Sequence, residues 1–73
     1  MEDYLNELAR LLEVGDVKPE DELRKFELWD SLTVLALLAF IDEKYSVLVS
    51  SLDMADVETA SDLYKLIEFR NLS

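Results

Sequence analysis

The chain contains no cysteine and no histidine, and only one glycine and one proline. Without Cys there is no disulfide to brace a small fold, and without Cys or His there is neither thiolate nor imidazole to bind a metal. The same absences leave its serines without the base that a Ser nucleophile requires. One Gly and one Pro are too few for many short strands joined by tight turns, so the composition favours an all-α fold. The sole glycine leads into Asp16-Val17-Lys18, which lacks the alternating acids of a calcium loop, and no Gly-rich phosphate cradle exists. Positive charge is scarce too: 7 Lys and Arg stand against 17 Asp and Glu, a net charge of −10. Such a surface repels phosphate backbones and anionic membranes, which argues against nucleic-acid binding, and it attracts partners with basic patches. Long apolar runs are also missing. The longest, Leu32 to Ile41, has 9 apolar residues in 10, well short of the ~20 that a membrane span needs. Met1-Glu2-Asp3-Tyr4 lacks the basic start and apolar core of a secretion signal, so a cytoplasmic protein is expected.

What remains is a chain of 73 residues that is 51% hydrophobic. One domain spanning 1–73 is expected, with a small core held by apolar packing alone. Tyr4, Leu5, Leu8, Leu11 and Leu12 recur at three- and four-residue steps and predict a first helix over 3–14, with Gly15 as its C-terminal stop. From Asp16 to Asp30 the periodicity fails. This stretch reads as a long loop, with a helical turn near 20–25, pinned to the core by Leu23, Phe26, Leu28 and Trp29. A second helix is predicted over 31–44. At about 100° per residue, Val34, Leu37, Leu38, Ile41 and Tyr45 share one narrow face, which is the core face. Leu32, Leu35, Ala36 and Ala39 fall off it, so either other parts of the chain cover them or they meet a partner.

Tyr45 to Val49 has strand-like composition but no strand to pair with, and reads as an extended connector. A short third helix is predicted over 52–57. Thr59-Ala60-Ser61-Asp62 resembles a capping box and opens a fourth helix over 60–69, with Ala60, Leu63 and Ile67, joined by Tyr64 and Leu66, as its buried stripe.

Asp30-Ser31-Leu32 carries the most information. It places a primary hydroxyl where the long loop becomes the second helix, with a carboxylate beside it. Serine is also a favoured helix cap, and either Asp30 or Ser31 can fill that role. No base stands near Ser31 in sequence to make it catalytic, and a 73-residue bundle has little room for a substrate cleft, so the chain is not read as an enzyme. A serine so displayed, in a small acidic chain without catalytic machinery, reads either as a cap or as a place for attachment, and the context along the whole chain favours attachment.

The tripeptide, its place at the end of a long first loop, the apolar run 34–41, Tyr45, Val49, Val57, the Thr59-Ala60 helix start, Leu63 and Ile67 together resemble the acyl carrier protein family over about 3–69. The resemblance implies a four-helix bundle of acyl carrier protein type, with a long first loop and a short third helix. It also implies 4′-phosphopantetheine on Ser31, added by a phosphopantetheinyl transferase from coenzyme A with magnesium. The arm then carries acyl groups as thioesters for separate loading and processing enzymes. Asp30 matches the acid that helps dock the transferase. The apolar Leu32, Leu35, Ala36 and Ala39, flanked by Asp30 and by Asp42 and Glu43, form the expected docking surface of a monomer.

This sequence departs from the fatty-acid carriers in three respects. Trp29 precedes the Asp, Glu27-Leu28 replaces an upstream Leu-Gly pair, and acids appear on the second helix only at its end. These differences point to a specialised lipid, polyketide or related pathway. Two alternatives stand beside the acyl carrier: an aminoacyl or peptidyl carrier, and an unmodified helical interaction module.

Overall fold

The computed structural model describes residues 1–72. Helix α1 (Glu2–Leu12) presents Tyr4, Leu8, Ala9 and Leu12 to the interior, while Glu2 and Asp3 sit favourably at the positive end of its dipole. It ends earlier than expected, and not at Gly15. Glu13 takes the left-handed conformation at φ 56°, and the only glycine has no positive φ. The backbone explains this. Glu13 N–H donates to the Arg10 carbonyl at 3.3 Å and Val14 N–H to the Ala9 carbonyl at 3.0 Å, the paired bonds that close a helix end.

The segment between α1 and the next long helix holds one 3₁₀ turn, Leu23–Lys25. Leu23 is buried, and Phe26 and Trp29 pack partly buried on the core, as the loop reading required. Leu28 does not: it is exposed. The loop is also sewn down through its backbone. The carbonyls of Asp21 and Pro19 accept from Ala60 N–H at 3.0 Å and Ser61 N–H at 2.8 Å, and Leu23 N–H donates to the Glu58 carbonyl at 2.9 Å. Glu22 and Thr59 thereby form an isolated antiparallel bridge, and no strand is present among the described residues.

Helix α2 (Ser31–Tyr45) buries Leu37 and Ile41, with Val34, Leu38 and Tyr45 partly buried beside them. Ser46, left-handed at φ 57°, stops it. Val47 and Val49 of the connector are buried although they pair with no strand.

Helix α3 (Ser51–Met54) is shorter than the expected 52–57 and begins earlier. Ser50 and Asp53 form a reciprocal capping box at its start, and the chain turns at Ala55 and Asp56 before Val57 is buried. Helix α4 (Ala60–Leu72) runs past the expected end at 69. The Thr59–Asp62 box is present, with Asp62 N–H donating to Thr59 Oγ1 and Thr59 N–H to Asp62 Oδ2, both at 3.1 Å. Together the four helices, one of them short, form a compact all-α globule.

Leu8, Leu37, Ile41, Leu63 and Ile67 lie fully buried at its centre. Each contributes roughly 1.5–3 kcal/mol by leaving water. At one end Tyr4, Tyr64, Tyr45 and Phe40 form a chain of tilted and edge-on rings that joins α1, α4 and α2, with centroids 5.2, 6.4 and 6.2 Å apart. Tyr4 also donates its hydroxyl to the Ala60 carbonyl at 2.8 Å.

Candidate functional site

Asp30, not Ser31, caps α2. Its backbone is extended, and its Oδ1 accepts from Thr33 N–H at 2.9 Å. This bond is the chief reason the Asp30 carboxyl lies below its ordinary range, with Leu32 N–H adding to the effect. Ser31 is thereby released from capping and becomes the first helical residue, exposed to solvent.

Ser31 opens onto a groove of about 610 Å³ between the start of α2, the end of the long loop and α3. Trp29, Val34, Leu35 and Met54 supply its apolar walls. Two charged residues line it, Asp30 and Arg24. Arg24 comes from the 3₁₀ turn, and its Nη2 donates to the carbonyls of Ala55 at 2.9 Å and Met54 at 3.3 Å, so it fastens the end of α3 to the loop. Sequence reasoning missed Arg24 and Met54. Their only signal is spatial, because they lie 30 positions apart and meet through a backbone carbonyl.

The remaining residues of the sequence-derived site share one side of α2. Leu32, Leu35, Ala36, Ala39, Asp42 and Glu43 fall within one arc of the helix, each three or four positions from another of the set, and are all exposed. Leu35 is 60% exposed and Leu32 78%. The loop therefore leaves this apolar side of α2 open, while Phe26 and Trp29 pack against the core elsewhere. Only Leu35 belongs both to this side and to the groove.

Among the described residues no cluster of acids is placed to hold a metal ion, and no helix is long and apolar enough to cross a membrane. No protein-family model matches the chain, and no curated protein matches it.

Proposed function

We propose that this chain is a carrier protein whose attachment point is Ser31. The observation that carries the reading is the display of that hydroxyl. It is exposed at the first position of α2, freed from capping by Asp30, and faces a groove with room beside it for a covalent arm. A seryl phosphodiester fits there sterically, since nothing covers the serine.

In loading, Ser31 Oγ forms a bond to phosphorus as the pyrophosphate bond of coenzyme A breaks. Adenosine bisphosphate leaves, and the serine proton passes to a base supplied by the transferase, since this chain has none nearby. When bound, the 4′-phosphopantetheine group supplies a terminal thiol that holds acyl or aminoacyl cargo as a thioester. The residues of this chain do the rest. Asp30 fixes the helix start, and the open apolar side of α2 receives the transferase and the loading and processing enzymes. Asp42 and Glu43 steer these enzymes from the far end. The chain works as a cytoplasmic monomer on acyl cargo of a specialised lipid, polyketide or related pathway, with aminoacyl or peptidyl cargo as the nearest alternative.

The exposed Leu32 and Leu35 also favour a second reading, an unmodified helical module that binds a partner through α2. Incubation with coenzyme A, magnesium and a broad-specificity transferase, followed by intact-mass measurement, separates the two. Wild type is expected to gain one phosphopantetheine and Ser31→Ala none. No gain in wild type, or equal gain in both, overturns the carrier reading.

A further inference from the structure

The groove beside Ser31 poses an electrostatic problem for the attachment proposed above. A phosphodiester on Ser31 brings one negative charge to a chain that already carries −10. It also brings that charge next to Asp30, which hydrogen bonding keeps ionised. The start of a helix ordinarily helps an anion through its free N–H groups. Here that help is reduced. Thr33 N–H is donated to Asp30 Oδ1 and Asp30 N–H to the Leu28 carbonyl, both at 2.9 Å.

Arg24 is the only cation among the residues lining the groove. Both of its hydrogen bonds to the protein use Nη2, so among the described residues Nε and Nη1 are without a protein partner. The carbonyls of Met54 and Ala55 hold the guanidinium at the groove while two of its donor nitrogens stay available. A planar guanidinium suits a phosphate because two N–H groups can bond two oxygens at once.

We infer that Arg24 is the phosphate-binding residue of the Ser31 site: its Nε and Nη1 face the phosphodiester and offset the charge of Asp30. The inference rests on the carrier reading. It adds a role for the loop, which then bears the counter-charge as well as packing on the core. It also links the arm to α3, because the same guanidinium holds that helix's last carbonyls.

The test compares apo and holo forms of wild type, Arg24→Gln and Arg24→Lys. Loss of the Met54 and Ala55 bonds lowers the melting temperature of apo and holo alike. Loss of a phosphate contact lowers only the holo form. The expected result is a holo penalty for Arg24→Gln that exceeds its apo penalty by at least ~2 °C. A displaced ³¹P resonance should accompany it, and Arg24→Lys should recover part of the difference through its charge. Equal penalties with an unchanged ³¹P resonance overturn the role of Arg24 while leaving the carrier reading standing. A wild type that gains no mass overturns both. Should Arg24→Gln fail to fold, the Arg24 side-chain N–H resonances of wild type, followed from apo to holo, decide alone. Displacement supports the contact, and unchanged resonances refute it.

Discussion

The Arg70 guanidinium meets the Asp53 carboxylate with two prongs, Nη1 to Oδ2 at 2.7 Å and Nη2 to Oδ1 at 2.9 Å. Nη1 donates as well to the Leu48 carbonyl at 2.8 Å. One side chain near the end of α4 thus fastens both the connector and the first turn of α3. A helix of four residues has no stability of its own, so α3 exists because its neighbours hold it. Ser50 caps one end, Arg24 binds carbonyls at the other, and Arg70 ties down the side.

The same pair predicts a pH response. Arg70 foremost, then Ser50 N–H, holds the Asp53 carboxyl well below its ordinary value of 3.8. A depressed pKa stabilises the folded state above the unfolded value, and the contribution is lost as pH falls through the folded value. Arg70→Gln is therefore expected to melt below wild type at neutral pH, with the gap closing as pH drops beneath 3.8. Melts of both proteins over that range check this. A gap that persists undiminished in strong acid would mean that the pair is not its source.

Ser31 and Asp30 have separable roles. Ser31→Ala is expected to leave stability within about 0.5 kcal/mol, as for an exposed position outside any cap, while abolishing attachment. Asp30→Ala loses the cap and melts lower. Asp30→Asn keeps a capping oxygen, melts near wild type, and loads more slowly if the carboxylate steers the transferase. Denaturant titration alongside a loading time course distinguishes the three.

The open side of α2 gives a third prediction. Leu35→Asp and Ala39→Asp should fold, because both positions are exposed, yet load poorly. Leu37→Asp, in the fully buried core, should not fold. Asp42→Asn should lower the association rate modestly, and added salt should erase its difference from wild type. A thermal melt precedes each assay. Normal loading by a folded Leu35→Asp would remove this surface from the docking model.

Salt should also stabilise the fold itself. Among the described residues four carboxylates, those of Asp3, Glu7, Glu22 and Asp53, form ion pairs, against seventeen acids in the chain. Screening the remaining repulsion is expected to raise the melting temperature between low and moderate ionic strength. An unchanged melt would show that the repulsion is already offset.

Much of this architecture was readable from local pattern. The steps from Tyr4 to Leu12, the face from Val34 to Tyr45 and the Thr59–Asp62 box marked three helices, because each signal lies within one element. What was not readable depends on distant partners. The extension of α4 to Leu72 includes Arg70, whose partner Asp53 lies 17 positions back, and Phe69, which is exposed and so adds nothing to a buried stripe. The end of α1 at Glu13 is set by paired backbone bonds that a search for glycine does not find. The site divides in the same way. Ser31 and Asp30 stand out in sequence, whereas Arg24 gains meaning only once α3 is placed against its side chain.

The Tyr4 hydroxyl ends on a carbonyl 56 positions away, at the point where the Pro19 and Asp21 carbonyls also cap α4. Helices α1 and α2 gain their first support from neighbours in sequence. The start of α4 has its local Thr59–Asp62 box as well, but its Ala60 and Ser61 N–H groups and its Ala60 carbonyl are matched by groups from the long loop and from the far end of the chain. Closing so wide a span comes before any contact there can stabilise it. The expected consequence is two-stage refolding, in which helical signal rises early and the tyrosine ring cluster forms later. The junction at Ala60 would set the pace of that second stage.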